Sequence, residues 1–483
     1  MTACTIHIKD EVNIKISGLV TATRRKLEKE LQFFMPYAFH VPAYKLGRWN
    51  GMVSYFSLGG ASYFNLLDKI VPVLVDEGYS IDIDDQRQVH DFKFIEVTET
   101  THDQTIWPKG HPAAGSPVLL RDYQVKAVNQ FLNNLQCVQE ISTGAGKTVM
   151  TATLSKSVES YGRTLVIVPN KDLVKQTLED YELLGLDVGV YFGDKKEIGK
   201  THTICTWQSL NSMQKRFKDG LSPMSLEEFG QDLVAVIVDE VHQAKADVLK
   251  QLLSGPFANV PIRWGLTGTI PKEDFEKIGL VCCIGPVVNK IAAKDLQEQG
   301  VLANCLVNIV QLQETAQYST YQEELSYLTT NKTRMQFIAK IIKGLAEDGN
   351  TLVLVDRIKA GHLLTEYLPE SVFVSGTMKS DQRKEHYDEI KDNDGKIIVA
   401  TYGVAAVGIN IPRIFNLVLL EPGKSFVRVI QSIGRGIRKA QDKDHVEIWD
   451  ITSSAKFSRK HLATRKKYYE EAGYPFKMEK VKY

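Results

Sequence analysis

Residues 136–160 read QCVQEISTGAGKTVMTATLSKSVES, and the middle of this stretch decides the fold. An apolar approach leads into Ser142, Thr143, Gly144, Ala145, Gly146, Lys147 and Thr148, and Val149–Ser160 then reads as a helix. A bound phosphate chain needs backbone N–H groups at close range, which glycine permits. It also needs a helix N-terminus with its partial positive charge. Lys147 is placed to pair with β and γ oxygens, and the Thr148 hydroxyl to hold Mg²⁺. The generic phosphate-loop pattern starts with one more glycine, where this chain has Ile141. Without a phosphate, the same stretch would be a glycine-rich turn followed by an ordinary surface lysine.

A second stretch bears on the first. Val234–Val238 is an apolar strand that runs into Asp239, Glu240, Val241 and His242. The C-terminal end of a strand beside a phosphate loop is where a metal-anchoring carboxylate belongs. Asp239 is the candidate for Mg²⁺, and Glu240 for orienting or deprotonating an attacking water.

Working outward, short β-branched runs recur at Thr164–Val168, Thr203–Thr206 and Leu233–Val238, separated by amphipathic stretches such as Asp172–Leu184. Strands that are apolar on both faces and alternate with helices predict a parallel sheet covered on both sides. The pattern repeats at Thr351–Val355, Val372–Val374, Lys396–Ala400, Phe415–Leu420 and Val446–Trp449, after a helix over Thr333–Glu347. The first 107 residues differ: Arg24–Phe34 reads as a helix, and Gly51–Leu58 and Ile81–Ile83 as strands, giving a mixed α+β module. Pro108–Pro117 reads as a linker. After about Ser453 apolar strands cease and basic and aromatic residues take over. The expected divisions are therefore 1–110, 111–302, 303–455 and a tail at 456–483.

Composition limits the function classes. The chain has 483 residues, with 59 Lys and Arg against 58 Asp and Glu. That length fits about two to four domains. Hydrophobic residues at 43% and charged residues at 24% exclude a disordered acidic or basic chain. A formal charge of +1 does not exclude nucleic-acid binding, because it averages over faces. Residues 456–483 hold nine Lys and Arg against three Glu, a local +6, so the other 455 residues sum to −5. There is no secretory signal and no long apolar run, so no membrane partner and a cytoplasmic location are expected. The six cysteines show no CxxC pair and no zinc spacing and are expected to be reduced thiols.

From about residue 118 to 452 the sequence resembles superfamily 2 helicases, with motifs in that family's order. Leu120-Arg121-Asp122-Tyr123-Gln124 resembles the adenine-reading Q motif, which assigns Arg121 and Gln124 to the nucleotide and implies ATP. Val168-Pro169-Asn170 and Thr206-Trp207-Gln208 resemble elements that touch the nucleic-acid backbone, which assigns Pro169, Asn170, Thr206 and Gln208. Leu266-Thr267-Gly268-Thr269 resembles the motif that couples hydrolysis to strand movement. In the second half, Val374-Ser375-Gly376 and Thr401-Tyr402-Gly403 resemble strand-contacting elements, implying Ser375, Gly376 and Thr401. Gly408-Ile409-Asn410-Ile411-Pro412 resembles a nucleotide-side element, with Asn410 where an aspartate is commoner. Gln431-Ser432-Ile433-Gly434-Arg435-Gly436-Ile437-Arg438 resembles the arginine-finger motif, placing Gln431, Arg435 and Arg438 in the catalytic set. Arg435 and Arg438 share one face of a helix at i, i+3. On the second domain they can reach a γ-phosphate only when the domains close, and an arginine finger is worth roughly 10³–10⁵ in rate.

The resemblance implies two tandem RecA-like parallel-sheet domains and a small α+β N-terminal domain, with ATP and Mg²⁺ as cofactors. Phe39–Lys45 followed by Gly47-Arg48-Trp49-Asn50-Gly51 resembles the N-terminal module of UvsW-type phage helicases. Trp49 there reads equally well as a core anchor. That likeness implies fork regression, Holliday-junction branch migration, R-loop removal and 3′ to 5′ translocation in phage-type replication, recombination and repair. Branched or duplex DNA, with RNA–DNA hybrid as a further partner, and a monomer are expected, in the host cytoplasm if phage-encoded. Arg24 and Arg25, and in the tail Arg465 and Lys466 among aromatic residues, are candidate phosphate contacts. An RNA helicase and an ATP-switched duplex clamp that does not unwind stay open as alternatives.

Overall fold

Runs such as RTLVIV (163–168) and LVAVIVD (233–239) cannot face water on either side, and each becomes an interior strand. The structure is a computed structural model that describes residues 2–109, 113–243, 246–378, 380–391, 393–405, 413–424 and 444–483. The chain divides into two units. One comprises Met1–Trp107, Gly115–Glu140 and Lys147–Lys290, and the other Pro108–Ala114, Ile141–Gly146 and Ile291–Tyr483.

The first unit opens with β1 (Thr2–Ile8), β2 (Asn13–Ser17), β3 (Gln32–Phe34), β4 (Met52–Ser54), β5 (Ala61–Tyr63) and β6 (Tyr79–Asp85). β1 is central, antiparallel to β2 and parallel to β6, and β5 lies outside β2. Helices Thr21–Glu30 and Leu67–Asp76 accompany this sheet. The helix expected over Arg24–Phe34 ends at Glu30, because Gln32–Phe34 pairs instead with Met52–Ser54 as an antiparallel ribbon. The strand expected over Gly51–Leu58 is limited to the same three residues, Met52–Ser54.

The large sheet contains β7 (Gln136–Ile141), β8 (Arg163–Val168), β9 (Val188–Phe192), β10 (Lys195–Lys196), β11 (His202–Thr206), β12 (Leu233–Asp239), β13 (Ile262–Thr267) and β14 (Val287–Ile291). Its order is β10-β9-β11-β8-β12-β13-β7-β14, and it is parallel from β9 to β7. One apolar core runs from the N-terminal sheet into this one, joining Tyr55, Phe56, Leu66 and Ile70 to Leu253, Phe257, Phe275 and Ile278. Polar bonds cross the same seam. Glu11 N–H donates to the Ala258 carbonyl at 3.0 Å, and Asn13 Nδ2 to the Ser254 carbonyl at 2.9 Å.

The second unit holds β15 (Asn304–Leu312), β16 (Thr351–Val355), β17 (Val372–Val374), β18 (Ile397–Thr401), β19 (Asn416–Leu420), β20 (His445–Ser453) and β21 (Phe476–Val481). The order is β17-β18-β16-β19-β20-β15-β21, and every pairing is parallel. Residues 456–483 depart from the expected tail. They form the helix Lys456–Glu471 and then β21, which pairs with β15 from Val307↔Phe476 to Leu312↔Val481. All six cysteines are free and buried. Among the described residues no helix is long and apolar enough to cross a membrane.

Candidate active site

Strand β7 ends in Ile141, whose side chain is buried, so the position of the missing first glycine serves as a strand end. The chain then turns through Gly144 at φ +88° and Gly146 at φ +79°, left-handed conformations that cost a side-chain-bearing residue about 1–2 kcal/mol. The helix Lys147–Val158 starts immediately after. A loop that ends at the N-terminus of a twelve-residue helix offers backbone N–H groups and the positive end of the helix dipole.

Lys147 is the first residue of that helix and is buried. Its Nζ donates to Glu240 Oε1 at 2.7 Å. Glu240 follows the end of β12 and sits at φ +50°, uncommon for a glutamate. Strained backbone at a strand end persists only when its surroundings hold it. Here Glu240 N–H donates to Asp239 Oδ1 at 2.9 Å, and Gly268 N–H reaches Glu240 Oε2 at 3.3 Å. His242 Nδ1 lies 2.5 Å from Thr267 Oγ1, and that hydroxyl donates to the Thr269 carbonyl at 2.8 Å. The Asp239–His242 and Leu266–Thr269 segments are therefore bonded to each other. The pairing of β12 with β13 brings them together, with Asp239 opposite Leu266. His242 and Thr267 each lie in a motif read from the sequence, but only the strand adjacency shows that they meet.

Two family models match parts of the chain. One, described as the res subunit of type III restriction enzymes, matches residues 118–272. The other, the helicase conserved C-terminal domain, matches residues 333–440. The chain is a superfamily 2 helicase. The ATP-dependent DNA helicase uvsW of Enterobacteria phage T4 is 26% identical over 454 residues, covering 89% of this chain and 87% of that protein. A DNA 3'-5' helicase XPB from Kineococcus radiotolerans is 25% identical, and the match spans 74% of this chain and 64% of that relative. A fragment of an HsdR subunit of a type I restriction enzyme from Vibrio vulnificus YJ016 shares the fold. Its TM-score is 0.57 at 16% identity, over 97% of this chain and 85% of that one.

The other candidate residues of the helicase fall at identifiable places. Gln124 is buried, and its Oε1 accepts the Arg121 N–H at 2.9 Å, closing the start of the helix Asp122–Leu132. Arg121 Nη1 donates to the Tyr123 hydroxyl at 3.0 Å. Asn170 caps the helix Lys171–Leu183, accepting from Asp172 and Leu173 N–H at 3.0 Å. Thr206 caps the helix Trp207–Lys218 through Ser209 N–H. Strands β8 and β11 are parallel neighbours with Val168 opposite Thr206, so these two helix N-termini open on one sheet edge. Gln208 ties them together by donating to the Pro169 carbonyl at 3.1 Å.

In the second unit Ser375 is buried, with its hydroxyl 2.8 Å from Thr377 Oγ1. Gly376 is exposed and Thr401 half-buried at the end of β18. Arg25 is exposed, and Arg24 Nη1 donates to the Leu58 carbonyl at 3.2 Å. Gly408, Asn410, Gln431, Arg435 and Arg438 lie outside the described residues.

Arg465 is a correction. It is 1% exposed, and its Nε and Nη2 both donate to Asp450 at 2.8 Å, so no phosphate can reach it. Its Nη1 donates to the Gly423 carbonyl at 2.7 Å. Lys466, next to it, is half-buried, with its Nζ 3.2 Å from Met478 Sδ.

Proposed function

We propose that this chain is an ATP-driven DNA helicase and translocase that remodels branched DNA by fork regression, Holliday-junction branch migration and R-loop unwinding. The observation that carries the reading is the Lys147–Glu240 ion pair, at 2.7 Å, at the C-terminal edge of the parallel sheet. The names of the T4 and Kineococcus relatives, a DNA helicase and a DNA 3'-5' helicase, support DNA as the polymer.

ATP is the substrate that fits the glycine turn and the helix N-terminus at Lys147. Its phosphates compete with Glu240 for the Lys147 ammonium. Once released, Glu240 holds and deprotonates the attacking water. Mg²⁺, when bound, neutralises charge on the transferring phosphoryl group. The Thr148 hydroxyl and the Asp239 carboxylate are the groups that would hold it. Glu240 bonds to Gly268 and stands 3.5 Å from His242, whose ring meets Thr267. A change at Glu240 is thereby passed to the Leu266–Thr269 segment. The helix N-termini capped by Asn170 and Thr206 receive backbone phosphates of one strand. The resemblance assigns Arg435 and Arg438 the finger role, and Gly408 and Asn410 nucleotide contact.

The test compares ATP hydrolysis by the full chain with forked DNA, linear duplex and RNA of equal length. Stimulation greatest with forked DNA supports the reading. Stimulation by RNA alone would make it an RNA helicase.

A further inference from the structure

Residues 31–67 contain no Asp or Glu, carry Lys45 and Arg48, and include ten aromatic residues. Aromatic residues in a module this small usually go inside, and Tyr55 and Phe56 do. Others form a ladder at the surface. Ring centroids of Phe34 and Phe39 lie 5.7 Å apart, Phe39 and Tyr44 5.2 Å, and Tyr44 and Trp49 6.4 Å. Phe39 keeps 56% of its surface exposed and Phe34 39%, and Leu46 in the same segment keeps 64%. His40, Lys45 and Arg48 are exposed in the same segment.

The ladder is built to be rigid. Trp49 Nε1 donates to the Met52 carbonyl at 2.8 Å, and Gly51 stands at φ +81° where a Cβ would come within 2.5 Å of the Phe34 ring. Only glycine permits that approach of the turn to the Phe34 ring. The same segment is joined to a helix of the large-sheet domain. Tyr37 and Tyr55 both meet Phe275, at 6.1 and 6.2 Å, on the helix Asp274–Cys283 that follows Leu266–Thr269 in the chain.

We propose that this aromatic ledge is a stacking platform for unpaired bases at the branch point of a DNA junction. The proposal rests on the DNA reading above and names the part of the substrate that the N-terminal module holds. Exposed rings on a stretch that carries cations and no Asp or Glu match a ligand with π-faces and a negative backbone. Fully paired duplex offers the backbone without the faces and gains little from the ledge.

The experiment uses the full chain and a fork with 2-aminopurine at the unpaired junction position, read without ATP. Stacking quenches its fluorescence. Phe39→Ala removes an exposed ring and should abolish the quench and weaken fork binding about 10-fold, with linear-duplex binding unchanged, since each stacked base contributes roughly a tenfold factor or more. Phe39→Trp should restore the quench. Lys45→Gln with Arg48→Gln should reduce the salt dependence of fork binding and keep the quench. An unaltered quench in Phe39→Ala, or an equal loss on duplex and fork, would overturn the ledge, including in favour of a protein-docking role. Quenching without any DNA-stimulated hydrolysis would keep the ledge and sink the motor reading.

Discussion

Arg465→Ala is the substitution for which a stabilising role and a DNA-contact role predict opposite results. The guanidinium makes two bonds to Asp450 at 2.8 Å and one to the Gly423 carbonyl at 2.7 Å. Asp450 is fully buried and also accepts from Tyr469 Oη at 2.7 Å. Truncating the arginine leaves that carboxylate without its cation in a dry site, which costs about 3–5 kcal/mol. In a unit of this size about 1 kcal/mol shifts Tm by roughly 2–4 °C, so the expected drop is on the order of 10 °C. Thermal unfolding followed by circular dichroism measures it. Arg465→Met with Asp450→Asn removes both charges and should recover most of the loss, because the penalty lies in the unpaired carboxylate. A single variant that melts like the parent but binds DNA more weakly would refute the reasoning and return Arg465 to the phosphate contacts.

The remaining predictions concern the site and its supports. Lys147→Ala should lower ATP turnover by on the order of 10²–10³ or more, measured by phosphate release, because the charge facing the phosphates is gone. Arg438→Ala should leave ATP binding by fluorescent analogue within about twofold and lower turnover by roughly 10³; unchanged turnover would remove it from the catalytic set. Asp180, on the helix Lys171–Leu183, has its carboxyl pushed up to about 7 by burial, with Glu179 adding to the shift. A carboxylate raised in the folded state stabilises below its unfolded value and loses that contribution as pH rises through the folded one. Asp180→Asn should therefore match the parent near pH 4 and exceed it by about 2–4 kcal/mol at pH 8 in urea unfolding. A constant difference across that window would contradict the burial.

The two parallel sheets were legible because their strands are apolar on both faces, a pattern that few other structures produce. The N-terminal ribbon was not, because Gln32–Phe34 and Met52–Ser54 are too short to show a period. Strand β21 was hidden by Lys477, Glu479 and Lys480, charges that suit a strand at the edge of a sheet. Arg465 could not be told from the basic residues around it by sequence, since its partner Asp450 comes from strand β20. Trp49, read equally as core or surface, is half-buried: its indole is bonded to the turn and its ring extends the exposed ladder.

A second arginine of this unit is also held in the core by carboxylates. Arg334 is fully buried between Glu314 at 3.0 Å and Glu421 at 2.6 Å. Glu324 accepts the N–H groups of Phe457 and Ser458, placing a carboxylate at the N-terminus of the helix Lys456–Glu471. That helix is thus bonded into the sheet domain, and Arg465 within it helps to hold it there.

The central claim, that ATP hydrolysis at Lys147 and Glu240 drives movement of branched DNA, is tested most directly by a gel assay. The full chain is incubated with a synthetic four-way junction, a fork and an R-loop, with and without ATP. We predict ATP-dependent resolution of these substrates by the parent chain and none by Lys147→Ala. No ATP-dependent product on any of the three, with ATP-dependent DNA binding intact, would contradict the claim and leave a nucleotide-switched clamp.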